Sequence, residues 1–139
     1  MKFWDSSAIL ALLLKEQGSF ETLRLYRDDV DQAVWCLTEV EVASALSRRV
    51  REGIEAQDER MAQTQLAFLI TRWTEIASLE SVRGRAVRLL STHSLRAGDA
   101  LQLAAALVFC DERTDSLPFV CLDDRLADAA RKERFPVLP

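Results

Sequence analysis

Residues 98–126 read GDALQLAAALVFCDERTDSLPFVCLDDRL, in which an apolar, alanine-rich segment precedes a short apolar segment and a charged one. The first segment, Ala100–Phe109, has the length of a helix, and Pro118–Leu122 has the length of a buried strand. The charged segment from Asp124 to Arg134 is predicted to be a second helix. A helix, a strand and a helix in succession indicate an α/β arrangement in this part of the chain.

The rest of the chain alternates in the same way between short apolar runs and longer helical patterns. The other predicted strands are Lys2–Trp4, Ala33–Leu37, Glu75–Leu79 and Val137–Leu138. The other predicted helices are Ala8–Leu14, Phe20–Tyr26, Thr38–Glu52, Ala56–Trp73 and Val82–Leu90. The positions expected to be buried on the longest of these helices are Met61, Leu66, Phe68, Leu69 and Trp73. With no repeat or linker, residues 1–139 are predicted to form a single domain, a three-layer α/β/α sandwich around a mainly parallel sheet.

Composition narrows the classes of protein that the chain can belong to. Hydrophobic residues make up 49% of it, which favours a compact globule over a disordered chain. No apolar run reaches the roughly 18 residues of a membrane span. Cys36, Cys110 and Cys121 have no C-x-x-C spacing and predict buried thiols in a reducing cytoplasm. His93 is the only histidine, so a zinc site is not expected.

Four acidic residues occupy positions where the ligands of an α/β sheet collect, beyond the carboxyl ends of its strands. Asp5 follows the first strand and Asp123 follows Pro118–Leu122. Glu41 lies one turn into the helix after Ala33–Leu37, and Asp99 begins the alanine-rich helix. If the strands are parallel neighbours, these side chains can meet in one pocket.

Such a pocket would need a cation, because carboxylates a few ångströms apart repel one another and raise one another's pKa. Hard oxygen ligands without histidine or cysteine suit Mg²⁺ or Mn²⁺. A metal of this kind activates water and stabilises charge on a phosphoryl oxygen. The residues therefore favour metal-assisted hydrolysis of a phosphodiester. The net charge of −4 is unusual for a protein that binds nucleic acid, although a bound metal would offset part of it.

The order of the acidic motifs resembles that of a PIN domain, in particular that of the VapC-type toxins of toxin–antitoxin pairs. The resemblance covers nearly the whole chain and rests on four stretches. They are Asp5-Ser6-Ser7, the Glu41–Leu46 segment EVASAL, the Arg96–Ala104 segment RAGDALQLA and the Val120–Leu126 segment VCLDDRL.

The resemblance implies a metal-dependent endoribonuclease that hydrolyses RNA with a metal-activated water. It implies that Asp5, Glu41, Asp99 and Asp123 are the catalytic, metal-binding residues for Mg²⁺ or Mn²⁺. Ser6 or Ser7 would help to position the ligands. The implied partners are an RNA substrate, a cognate VapB-like antitoxin and a second copy of the chain in a homodimer.

Two positions depart from the pattern of that family. Cys121 stands where the family usually has Thr or Ser, which weakens any role for a hydroxyl group at this point. Gln102 stands where His is frequent, but that residue is not a core metal ligand.

Each acid also has a purely structural interpretation. Asp5 can cap a helix and Asp99 can complement a helix dipole. Thr38-x-x-Glu41 is also a capping box, and helical spacing alone does not choose between Glu41 and Glu39. Asp124 competes with Asp123: we expect one of them to cap the last helix and the other to face the site, and the position at the strand end favours Asp123 for the site. His93 is expected to be a solvated residue near a helix end.

Other functions compete with the ribonuclease hypothesis. A haloacid dehalogenase-like phosphatase would need D-x-D after the first strand and a downstream lysine, whereas the chain has Asp5-Ser6-Ser7 and no lysine between Lys15 and Lys132. A catalytically weak PIN-like module for binding or dimerisation is the second alternative. The arginine runs 48–51 and 83–88 are expected to be solvated faces, with contact to RNA as the alternative.

Overall fold

The computed structural model describes residues 1–139. The strands are β1 (Lys2–Trp4), β2 (Gln32–Trp35), β3 (Thr74–Ile76), β4 (Phe119–Val120) and β5 (Val137–Leu138). The helices are α1 (Ser6–Leu13), α2 (Ser19–Asp28), α3 (Thr38–Arg51), α4 (Ala56–Ile70), α5 (Leu79–Thr92), α6 (Ala97–Phe109) and α7 (Asp124–Lys132). A 3-10 turn at Thr114–Ser116 precedes β4.

The strands form one five-stranded sheet in the order β3-β2-β1-β4-β5, and every neighbouring pair is parallel. The chain moves outward from β1 through β2 to β3, and then crosses to the other side of β1 to add β4 and β5. The carboxyl ends of β1 and β4 therefore flank the point where the strand order reverses. Open parallel sheets form a crevice at that point.

Successive strand residues point to opposite faces of the sheet, so each face builds its own core. Phe3 packs with α5, α6 and α7 on one face. Trp4 packs with α1, α3 and α4 on the other. Both side chains are fully buried. The predicted three-layer α/β/α sandwich with a parallel sheet is confirmed, and no helix is long and apolar enough to cross a membrane.

Helix α6 lies close against the sheet because its inner face is made of small residues. Ala100, Ala104, Ala105 and Ala106 are completely buried. The helix begins at Ala97, three residues earlier than predicted, and so includes Gly98 in its first turn. This brings the start of α6 next to α3: a Cβ atom on Gly98 would lie 3.7 Å from Oε1 of Glu41.

Two predictions about burial on α4 are wrong. Leu66 and Leu69 are buried as expected, but Met61 and Phe68 are 51% and 57% exposed. The helix lies on the outside of its layer and contacts the molecule along a single narrow face. Met61 and Phe68 instead line a surface cleft between α1, α2 and α4.

The prediction for His93 is also wrong. The residue does end α5 as expected, but its side chain is only 8% exposed and Nε2 lies 2.6 Å from Oε1 of Glu133. Arg85 bonds the same glutamate at 3.2 Å and Glu112 at 2.9 Å. These four residues, the Arg85 cluster, tie α5 to the ends of α6 and α7.

Candidate functional site

The candidate site lies at the crevice beyond the carboxyl ends of β1 and β4. Asp5 directly follows β1, and Asp123 follows β4 after two intervening residues. Ser7 joins the two strand ends, because its Oγ accepts a hydrogen bond from the Leu122 backbone N–H at 2.9 Å and donates one to Oδ2 of Asp5. The topology of the sheet thus brings together residues that are far apart in the sequence.

Asp5 is a buried carboxylate with an unfavourable environment. It is 3% exposed, and its Oδ2 accepts the Ser7 backbone N–H at 3.0 Å as the cap of α1. Burial raises the pKa of Asp5 to about 6, against the lowering effect of the Ser7 hydrogen bonds. The negative charge of Glu41 raises that pKa further. Asp5 therefore does cap α1, but its carboxylate is buried where water solvates the charged form poorly.

Glu41 faces the other acids and Glu39 does not. Burial raises the pKa of Glu41, Gln102 and Ser6 lower it through hydrogen bonds, and the charge of Asp99 raises it. Glu39 is exposed on the neighbouring face of α3. The geometry separates these two residues where helical spacing alone could not.

Gln102 is the buried partner of Glu41, a role that is not predicted from the sequence. It is fully buried on α6, and its Nε2 donates to Oε2 of Glu41 at 3.0 Å and to Oγ1 of Thr38 at 3.1 Å. The capping-box interpretation of Thr38 is therefore wrong. The cap residue of α3 is Leu37, whose side chain forms no capping hydrogen bond, and Thr38 is already inside the helix. A lone amide in an otherwise apolar helix was the available signal for such a role.

Asp99 lies in the first turn of α6, where its Oδ2 accepts the Arg96 backbone N–H at 3.4 Å. Burial raises the pKa of Asp99, and the nearby charge of Asp123 raises it further. Arg96 and Arg125 lower it. Asp99 is thus part of a helix start, as the structural interpretation proposed, and is also a neighbour of a second carboxylate.

Asp123 both caps α7 and lies beside Asp99. Its Oδ1 accepts the Leu126 backbone N–H at 2.9 Å. We expected the capping and the site-facing roles to fall to different residues, but both fall to Asp123. Asp124 instead lines an adjoining cleft of 640 Å³ together with Arg49 and Arg131, and Ser7 and Cys121 also line this cleft.

Cys121 occupies the bottom of the crevice as a neutral thiol. It is 4% exposed, and its Sγ lies 3.7 Å from Oδ2 of Asp5 and accepts the Asp123 backbone N–H at 3.3 Å. Burial raises its pKa, and the charge of Asp5 raises it further. The thiol thus occupies the position of the usual hydroxyl and hydrogen-bonds the turn that carries Asp123.

The four acids form a row in which the charge of one raises the pKa of its neighbour. Glu41 raises the pKa of Asp5, Asp99 raises that of Glu41, and Asp123 raises that of Asp99. None of them has a cationic side chain within 4.0 Å. As the side chains are arranged, no three of them are close enough to hold one ion jointly. The row therefore has the oxygen ligands of a magnesium or manganese site, but its carboxylates are too far apart, as arranged, to bind one ion together.

Each carboxylate accepts at least one hydrogen bond that holds it in place. The anchored atoms are Oδ2 of Asp5, Oε2 of Glu41, Oδ2 of Asp99 and Oδ1 of Asp123. Burial also raises the pKa of Asp5, Glu41 and Asp99, and anchored acids with raised pKa values are typical of sites that hold an ion.

Comparison with solved structures identifies the fold. The chain resembles PAE2754 from Pyrobaculum aerophilum, a PIN-domain protein, with a TM-score of 0.61 and 21% sequence identity. The match covers 92% of this chain and 78% of PAE2754. At this identity the likeness shows the fold alone, which is PIN-like. No family model matches the chain, and no curated protein matches it either.

Proposed function

We propose that the chain is a metal-dependent endoribonuclease and that it acts as the toxin of a toxin–antitoxin pair. The observation that carries the proposal is the row of four carboxylates without cationic partners at the crevice of a PIN-like sheet. Structural acids are usually paired or solvated, whereas burial raises the pKa of three of these four. The motif order along the chain supports the same conclusion.

In this proposal Asp5, Glu41, Asp99 and Asp123 hold Mg²⁺ or Mn²⁺. The metal would supply Lewis acidity, lowering the pKa of a water and stabilising charge on a phosphoryl oxygen. The protein's own contribution is positioning: Ser7 orients Asp5, Gln102 orients Glu41, and two helix starts orient the remaining aspartates. Ser6 lies beside Glu41 and lines the cleft through which a phosphodiester would approach.

The reaction needs no covalent bond to the protein. A water attacks phosphorus in line with the leaving oxygen, the P–O bond to that oxygen breaks, and the leaving oxygen takes up a proton. The site offers four carboxylates and no lysine or histidine, so the carboxylates are the only groups in it that can accept the proton of the attacking water. Ser7 does not act as a nucleophile here, because its hydroxyl is engaged by Asp5 and by Leu122.

The proposed partners are a VapB-like antitoxin and a second copy of the chain. An antitoxin would present an arginine to the acidic row, since paired guanidinium–carboxylate contacts are strong. Exposed apolar side chains on α2 and α4, including Phe20 at 76% exposure and Phe68, offer it a surface. Leu79, Val87 and Leu90 form an exposed apolar stripe on α5 that suits a second copy.

The decisive experiment measures metal-dependent cleavage of RNA by matched variants. Asp99→Asn and Glu41→Gln each keep the shape of the side chain and remove its charge, so we expect at least about a hundredfold loss of cleavage in Mn²⁺. Glu39→Gln, on the exposed face of the same helix, is expected to keep activity within about twofold. Circular dichroism checks that all three variants fold.

Three outcomes would contradict the proposal. Full activity of folded Asp99→Asn would remove that carboxylate from the machinery. Absence of Mn²⁺ binding by calorimetry at neutral pH, with no RNA cleavage by the wild type, would favour a binding module of PIN-like fold. Trapping of a phosphoryl group on Asp5 would favour a phosphatase.

A further inference from the structure

The arginines of α3 differ in what they contact, although they are consecutive in sequence. Arg49 bonds Glu16 through Nε and, at 3.0 Å, through Nη2, and it also contacts Glu52. Arg48 has no acidic group within 4.0 Å. Its side chain lines a 480 Å³ cleft whose other walls include Ser6, Ser44 and Glu41. Arg49 is therefore engaged within the protein, while Arg48 is free to bind a ligand.

Helix geometry places Arg48 beside the acidic row but not within it. Glu41, Ser44 and Arg48 follow the i, i+3, i+7 spacing of one helix face. Arg48 lies about 10 Å further along the axis than Glu41. Side chains on a helix lean towards its amino end, so the guanidinium is directed back towards the row. A cation at this distance suits a phosphate next to the one that is cleaved.

A second group of cationic side chains lies on α7, the helix that Asp123 caps. Arg125, in the first turn of α7, is close enough to Asp99 to lower the pKa of that carboxyl. It also lines a small cleft with Lys132 and Asp128. Arg125 and Lys132 have no acidic partner, whereas Asp128 is bonded to Arg131 at 2.9 Å. The acidic row thus has Arg48 of α3 near Glu41 and Arg125 of α7 near Asp99 and Asp123.

We propose that single-stranded RNA crosses the acidic row between Arg48 on one side and Arg125 with Lys132 on the other, which bind the phosphates flanking the scissile one. This inference rests on the proposed function and names the surface that holds the substrate. Val40, 63% exposed in the cleft of Arg48, gives a base or ribose an apolar contact. The arrangement allows a chain whose net charge is −4 to bind RNA, because the cations that contact the phosphates lie together beside the acidic row.

The test measures binding separately from cleavage. A labelled oligouridylate of about twelve nucleotides is titrated with each protein in Ca²⁺ at several salt concentrations, with fluorescence anisotropy as the readout. We expect Arg48→Gln and Arg125→Gln each to weaken binding roughly three- to tenfold. Each should also reduce the slope of log K against log salt by about 0.7, the value for one phosphate contact on a single strand. Arg88→Gln, an exposed arginine on α5 that lines neither cleft, is the control and should change neither quantity.

The outcomes separate this inference from the proposed function. If Arg48→Gln and Arg125→Gln match Arg88→Gln in affinity and slope, the inference is overturned even if the wild type cleaves RNA. The same holds if the wild type does not bind the oligonucleotide, or binds an RNA duplex equally well. If the wild type binds and the two variants lose affinity, but no metal supports cleavage, the binding surface stands and the nuclease proposal fails.

Discussion

The molecule contains two groups of acidic residues in opposite surroundings. In the Arg85 cluster, Glu112 and Glu133 are bonded by Arg85, and Glu133 is also bonded by His93. In the crevice, Asp5, Glu41, Asp99 and Asp123 have no cationic side chain within 4.0 Å, and Arg96 and Arg125 lower the pKa of Asp99 from a greater distance. The charges of the first group are balanced by partners within the chain, and their bonds hold helices together. The second group destabilises the folded chain until a cation binds to it. This difference distinguishes a structural cluster from a binding site.

The largest expected effect on stability is that of Asp5→Asn in the presence of a chelator. The folded protein holds a proton on Asp5 up to about pH 6, whereas the unfolded chain releases it near its ordinary value of 3.8. The folded state therefore binds more protons between those values, and the free energy of unfolding falls as pH rises through them. A shift of this size corresponds to about 3 kcal/mol of destabilisation, fully present above about pH 6 and absent below about pH 4.

Asparagine removes that charge and can still accept the Ser7 backbone N–H, so the variant should be more stable than the wild type at neutral pH and equal to it in acid. Urea unfolding between about pH 4 and about pH 7 measures the difference, with saturating Mn²⁺ expected to reverse its sign. An unchanged difference across that range would mean that Asp5 is an ordinary cap.

Arg85→Leu tests the opposite half of the comparison. Its side chain is 16% exposed, and its removal leaves Glu112 and Glu133 without that cation, so we expect a loss of about 2 kcal/mol in the free energy of unfolding. Urea denaturation checks the loss, with Arg88→Leu, which has no acidic partner, as the control. A loss of Mn²⁺ affinity in Arg85→Leu would break the distinction between the two groups.

The smallest effect is expected at Gln102, which connects the buried core to the acidic row. Gln102→Leu removes the donor that orients Glu41, and we expect Mn²⁺ to bind about tenfold more weakly, since partners of metal ligands commonly have effects of this size. Calorimetry measures the affinity. Thr38→Val, which disturbs the same amide without touching Glu41, is the control. Equal affinities in wild type and Gln102→Leu would leave Gln102 as a packing residue.

The elements of the fold that depend on local pattern could be predicted from the sequence. β1 and β5 have the predicted bounds, because each is a short apolar run between polar or turn residues. The start of α6 was predicted too late, since Gly98 suggests a break while the native helix includes it. Met61 and Phe68 were misplaced because helical periodicity shows which residues share a face but not how wide the buried part of that face is.

Only those residues of the candidate site that directly follow a strand could be placed from the sequence. Asp5 and Asp123 follow strands, so their place at the crevice follows from parallel pairing. The partners of Gln102 lie 61 and 64 positions away, and Glu133 lies 40 positions from His93. No local pattern encodes such contacts, and this is why the capping box at Thr38 and the solvated His93 were both wrong.

The order of the strands has a consequence for the protein during its synthesis. β1 is the first strand to leave the ribosome, but its neighbour β4 is made more than a hundred residues later, and Asp123 follows β4. Domains complete their long-range pairings only when the distant segment is available. A nascent chain therefore carries Asp5 and Glu41 without Asp123 until β4 has been made. An activity that needs Asp123 together with Asp5 would be absent until β4 and the turn after it had left the ribosome.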